Sequence, residues 1–74
     1  MIAILKTVNP VTLNFAQAVL KEAEIEHFVM DQHVSILDGS IGAIPRRLMV
    51  IDEDHASAIR ALKLAGLEAE IFHA

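Results

Sequence analysis

The sequence predicts a single α+β domain, a β-α-β-β-α-β sandwich in which a four-stranded antiparallel sheet carries two helices on one face. An internal repeat is the main evidence, since residues 20–26 (LKEAEIE) recur as residues 62–68 (LKLAGLE). A short apolar run typical of a strand precedes each copy, at residues 2–8 and 48–51. Two β-α-β halves with right-handed crossovers favour the strand order 4-1-3-2. Residues 1–74 are predicted to form one domain.

The first half of the chain predicts a central strand and then a helix. The strand at residues 2–8 is apolar on both alternating sides, as expected of a strand that is covered on both faces. One side holds Ala3 and Leu5, and the other holds Ile2, Ile4 and Val8. Asn9 is a favourable N-cap and Pro10 suits the first helical position, so the helix is predicted over residues 10–23.

The second half repeats this pattern after a strand predicted at residues 25–30. The third strand is predicted at 48–51, and the acidic residues 52–54 open the second helix, where they offset the positive end of the helix dipole. Gly66 is predicted to stop that helix, and residues 67–72 to form the last strand. The first copy of the repeat has Glu24 in place of Gly66. Because a positive φ strains glutamate, we expect the first helix to end by another route.

Composition narrows the class of function. The chain has 74 residues, no cysteine, a net charge of −4 and 54% hydrophobic residues. Nucleic-acid binding needs a basic surface that this charge balance does not provide, and thiol chemistry is excluded. No apolar run resembles a signal peptide or approaches the ~20 residues of a membrane span, so a cytoplasmic location is expected. The apolar excess in so small a domain favours a homo-oligomer.

The stretch 31–45 is too long for an ordinary connection, and loops of this length are often functional. Its glycines would let backbone amides approach an anion, and two arginines follow it. We therefore predict a small-ligand or anion site in the segment 31–47, while a plain surface turn with locally paired arginines is the alternative. The candidate residues are Asp31, Gln32, His33, Asp38, Gly39, Ser40, Gly42, Arg46 and Arg47.

Neither a catalytic set nor a metal motif can be read from the sequence. Asp31 and His33 share one side of a strand, but their spacing matches no metal motif, and no metal or cofactor is predicted. The acidic residues 52–54 are explained by their place at a helix start. An enzyme that handles a metal or an anion through Asp31, His33, Asp38 and Arg46 is kept as the alternative to a binding module.

The sheet face without helices is the predicted oligomer interface. Period-two alternation places Phe28, Met30 and Phe72 on this face. Together with aliphatic residues of the central strands they would form a large apolar patch, which monomers rarely leave exposed. A protein partner could bind there instead. In a further alternative the stretch 31–45 covers the patch within one chain through Val34, Ile36, Ile41 and Ile44.

Three segments carry a resemblance that covers nearly the whole chain: residues 28–33 (FVMDQH), 37–42 (LDGSIG) and 45–50 (PRRLMV). The chain resembles the small bacterial domain-of-unknown-function family labelled "putative prokaryotic signal-transducing proteins", related in fold to the nitrogen-regulatory PII (GlnB-like) proteins. The resemblance implies a ferredoxin-like fold and a signalling role. The absence of a readable catalytic set favours a regulatory or interaction module without enzymatic activity. The nucleotide-binding loop of PII proteins has no counterpart here, so ATP binding is not implied.

Overall fold

The computed structural model describes residues 1–31 and 45–72. Strand β1 (Ile2–Thr7) leads to helix α1 (Pro10–Glu22) and strand β2 (Phe28–Asp31). Strand β3 (Arg46–Val50) leads through a 3₁₀ turn (Asp52–Asp54) to helix α2 (His55–Leu64) and a second 3₁₀ turn (Glu68–Glu70). The α+β class and the two helices are thus confirmed. Strand β2 begins three residues later than predicted, and strand β3 begins two residues earlier.

The three strands form an antiparallel sheet in the order β1-β3-β2. This is the 1-3-2 part of the predicted order, with β3 in the centre. The predicted fourth strand at residues 67–72 is wrong. Only Ile71 forms an antiparallel bridge, to Leu5, and the Phe72 amide donates to the Ile4 carbonyl at 2.8 Å.

Local hydrogen bonds replace a fourth strand. The amide of Glu70 donates to the carbonyl of Leu67 at 2.9 Å, and that of Ile71 donates to Glu68 at 3.3 Å. Glutamate and alanine are poor strand formers, so the Glu-Ala-Glu sequence of the 3₁₀ turn offers little that would favour an extended ladder. The chain reaches the outer side of β1 only at its last described residues.

Both helices pack on the same face of the sheet and share one core with it. Leu5, Leu48 and Val50 from the sheet are fully buried. The helices contribute buried leucine and alanine residues: Leu13, Ala16, Leu20, Ala58 and Leu62. Ile25 and Leu67, the residues that follow the two helix ends, also pack into this core, as the repeat predicted.

A β-bulge interrupts the pairing of β1 with β3. Ala3 pairs with Met49 and Leu5 pairs with Leu48, which leaves Ile4 as an extra residue. The bulge lets Ile4 and Leu5 both be fully buried although they are neighbours in sequence. The predicted simple alternation is therefore wrong in β1, because Ala3 and Leu5 lie on opposite faces.

The caps of helix α1 explain where it starts and stops. The Asn9 side chain accepts hydrogen bonds from the amides of Val11 at 2.9 Å and Thr12 at 3.5 Å, which confirms the predicted N-cap. At the other end Glu24 has a φ of 59°, so the expectation that this helix avoids a positive φ is wrong. The hydrogen bonds that hold Glu24 there outweigh the strain of its side chain.

Candidate anion-binding cleft

Within residues 1–31 and 45–72, one face of the sheet carries no helix, and we call it the open face. Cross-strand partners point to the same side of a sheet, so the register identifies its residues. The partners of Met49 are Ala3 and Phe28, and the partners of Arg47 are Lys6 and Met30. Phe72 follows Ile71, whose bridge to the buried Leu5 fixes it on the helix side, so alternation puts Phe72 on the open face.

The bulge in β1 determines the position of Lys6. Unbroken alternation after the buried Ile4 would turn Leu5 to the open face and Lys6 toward the helices. The extra residue reverses this order, so Lys6 lies opposite Arg47 on the open face. Bulges frequently re-aim side chains beside functional sites, and here the bulge places a second cation next to the first.

Lys6 and Arg47 are therefore two positive charges in directly opposed positions. Such like-charged pairs are unfavourable by themselves. Among the described residues no carboxylate forms an ion pair with either side chain, and the ion pair that is seen joins the Met1 α-amino group to Asp52 at 3.0 Å. The buried Nε atom of Arg47 also lacks a hydrogen-bond acceptor within that part of the chain.

A cleft of about 440 Å³ opens beside this pair. Its volume lies within the range of small-molecule sites. Apart from the two cations its lining is apolar: Met1, Ile2, Ala3, Met49 and Phe72. The arrangement can attract an oxyanion, since the guanidinium group offers a planar set of donors and the ammonium group a second charge.

The residues predicted for the ligand site are distributed over several places. Arg46 and Arg47 are adjacent in β3, so alternation places them on opposite faces, and only Arg47 lines the cleft. The backbone of Asp31 pairs with that of Arg46 at the end of β2. The other six candidates lie outside the described residues: Gln32, His33, Asp38, Gly39, Ser40 and Gly42. Within residues 1–31 and 45–72 no three acidic or histidine side chains gather as a metal site would require.

The apolar residues predicted for an interface do share the open face. Phe28, Met30 and Phe72 are 40%, 44% and 36% exposed. Phe72 belongs to the cleft lining, whereas Phe28 and Met30 lie on β2, outside that lining. The open face therefore has two parts, a cleft with two cations and an exposed apolar edge. The segment that was predicted as an alternative cover, with Val34, Ile36, Ile41 and Ile44, lies outside the described residues.

Sequence reasoning missed Lys6 and Met49 as members of the cleft. Lys6 was overlooked because alternation without a bulge does not bring it beside Arg47. A signal was available in the run 2–5 (IAIL), which offers more adjacent apolar residues than one buried face of a strand can take. Met49 could be placed only once its register with Ala3 and Phe28 was known.

Comparison with known proteins identifies a family and little beyond it. No helix in the described part of the chain is long and apolar enough to cross a membrane. No curated protein sequence matches the chain significantly. A family model described as "putative prokaryotic signal transducing protein" matches residues 1–66, which is most of the chain and includes strands β1 and β3, which line the cleft. The protein belongs to this prokaryotic family, whose name suggests a role in signal transduction.

Proposed function

We propose that the protein is a regulatory module without enzymatic activity that senses a small anion on the open face of its sheet. The observation that carries the proposal is the opposed pair Lys6 and Arg47 in an otherwise apolar cleft. Two unneutralised cations held side by side are unfavourable unless an anion joins them. Among the ligand-binding residues predicted in the segment 31–47, only Arg47 is used in this proposal.

The chemistry of the cleft favours binding over catalysis. Its described lining contains no carboxylate, imidazole, hydroxyl or thiol group. General acid-base and nucleophilic catalysis usually rely on such groups. The alternative enzyme, with Asp31, His33, Asp38 and Arg46, relies on Arg46, which does not line the cleft, and on two residues outside the described part of the chain. A regulatory role also agrees with the family's description.

Self-association through the open face is the second candidate function, and the exposed Phe28 and Met30 favour it. A homo-oligomer formed in this way would cover apolar surface that is costly to leave in water. We include in the proposal a cytoplasmic location and the relation in fold to GlnB-like regulators. A protein partner on the same face is the remaining alternative.

The test of anion binding is a titration with inorganic phosphate, and separately with acetate, followed by amide chemical shifts. We expect saturable shifts at Ala3, Lys6, Arg47 and Met49 at millimolar concentrations. The variants K6Q and R47Q should each weaken binding severalfold. The control is R60Q, since Arg60 is an exposed cation on helix α2, on the other side of the sheet. The absence of shifts in the cleft, or equal effects of K6Q and R60Q, would contradict the proposal.

A further inference from the structure

We infer that the ligand is an amphipathic oxyanion, a phosphate monoester or carboxylate that carries an apolar chain. This inference rests on the proposed function and specifies the chemistry of the ligand. It starts from the asymmetry of the cleft, which has cations at one end and apolar side chains at the other. An inorganic anion would use only the first of these features.

The register of the strands defines the two ends. Lys6 and Arg47 are one cross-strand pair, and Ala3 and Met49 are another. Met49 is two residues from Arg47 on the same face, which corresponds to about 7 Å along the strand. An anionic group held by the cations would thus have an apolar wall within reach of a short alkyl chain.

Phe72 and the start of β1 flank this apolar end. The Phe72 amide is held by the Ile4 carbonyl at 2.8 Å, which fixes the residue next to β1. The Met1 side chain contributes further apolar lining. Phe72 is still 36% exposed, so surface remains there that a ligand could remove from water. Burial of an alkyl chain stabilises a complex by about fourfold for each methylene group that leaves water.

The experiment compares methyl phosphate, hexyl phosphate and hexanol in titrations followed by amide chemical shifts. We expect hexyl phosphate to bind at least about tenfold more tightly than methyl phosphate, because a few of its additional methylene groups would be buried. Hexanol should bind much more weakly than hexyl phosphate. Shifts at Phe72 should appear with hexyl phosphate and be small with methyl phosphate, and shifts at Met49 should be clearly larger with hexyl phosphate.

Matched methionine variants test the apolar end. M49Q keeps the side-chain length but puts an amide in the cleft, and it should weaken the binding of hexyl phosphate severalfold more than the binding of methyl phosphate. M30Q makes the same change on the same face, outside the cleft lining, and should leave both affinities unchanged. If M30Q and M49Q act alike, the inference is wrong.

The outcomes separate this inference from the proposed function. Equal affinity for methyl and hexyl phosphate would overturn the inference and leave anion sensing intact. Binding of neither phosphate would overturn both, as would hexanol binding as tightly as hexyl phosphate. Vesicles of phosphatidylcholine with phosphatidylglycerol distinguish a free ligand from a lipid headgroup. If the protein co-sediments with these vesicles but does not bind hexyl phosphate, it recognises a lipid surface, and the inference of a free amphipathic oxyanion is wrong.

Discussion

Glu24 and Gly66 end the two helices in the same way. The φ angles are 59° and 84°, both in the left-handed region. The amide of Glu24 donates to Lys21 at 3.0 Å, and that of Ile25 to Leu20 at 2.9 Å. The amides of Gly66 and Leu67 make the equivalent bonds to Lys63 and Leu62, at 3.0 and 2.9 Å. Both ends are Schellman motifs, although only one has the glycine that the motif usually requires.

The first prediction is that E24G stabilises the protein. The left-handed region costs a residue with a side chain about 1–2 kcal/mol. Glycine avoids this cost but loses about 0.5–1 kcal/mol of unfolded-state entropy, so we expect a net gain of about 0.5–1 kcal/mol in unfolding free energy. Urea denaturation measures this change in the unfolding free energy. The matched control is G66A, which should be destabilising by backbone strain alone, since among the described residues no atom beyond its chain neighbours lies within 4 Å of the added methyl group. A loss of stability in E24G would contradict the prediction.

The second prediction concerns the start of helix α1. Asn9 caps two amides through its side chain, and its own amide donates to the Thr7 hydroxyl at 3.0 Å. N9A should therefore lower the unfolding free energy by about 1 kcal/mol, whereas N9D should retain most of the stability. Thermal or urea unfolding compares the variants. Unchanged stability in N9A would show that the cap contributes nothing measurable.

These two helix ends show which parts of the structure can be predicted from sequence. A cap depends on a few neighbouring residues, so Asn9-Pro10 and Gly66 were enough to place it. The repeat aligns Glu24 with Gly66, but the prediction that Glu24 avoids a positive φ was wrong, because side-chain strain was given too much weight against the hydrogen bonds. The repeat likewise placed Ile25 and Leu67 in the core.

Features that depend on pairing between residues far apart in the sequence could not be predicted from such local patterns. The bulge at Ile4 arises because two adjacent residues, Ile4 and Leu5, both gain from burial against the helices, and alternation has no means of showing this. The cleft depends on that bulge, so the position of Lys6 was missed. The missing fourth strand has a similar cause, since the local bonds of Glu70 and Ile71 competed with pairing to β1.

The third prediction tests the assignment of the two sheet faces with neighbouring residues of β3. Leu48 is fully buried beneath the helices, while Met49 is half-buried on the open face. L48A should cost about 2–5 kcal/mol through lost burial and the cavity it leaves. M49A should cost clearly less, because its side chain has fewer packed neighbours to lose. The ratio of the two losses in urea denaturation is the readout, and equal losses would mean that the open face is covered in solution.

The fourth prediction follows from the opposed charges of Lys6 and Arg47. Removal of one charge should relieve repulsion, so K6Q should raise the unfolding free energy by a few tenths of a kcal/mol at low ionic strength. The gain should shrink in 0.5 M NaCl, where the Debye length falls to about 4 Å. K6Q/R47Q should show less than the sum of the single effects, since either substitution removes the same repulsion. A gain of equal size in R60Q would show that repulsion within this pair is not the cause.

The last prediction is that the protein self-associates through the apolar edge of the open face. Phe28 is 40% exposed there and lies outside the cleft lining, so F28D tests association without altering the anion site. Phe15 is 47% exposed on helix α1 and provides the matched control. Sedimentation at micromolar concentration should show an oligomer for the wild type and for F15D. F28D should be monomeric, because a carboxylate placed in a dry apolar contact lacks a partner and costs several kcal/mol to bury. A monomeric wild type, or dissociation by F15D but not by F28D, would contradict this prediction. Anion binding would then be the remaining proposed role of the open face.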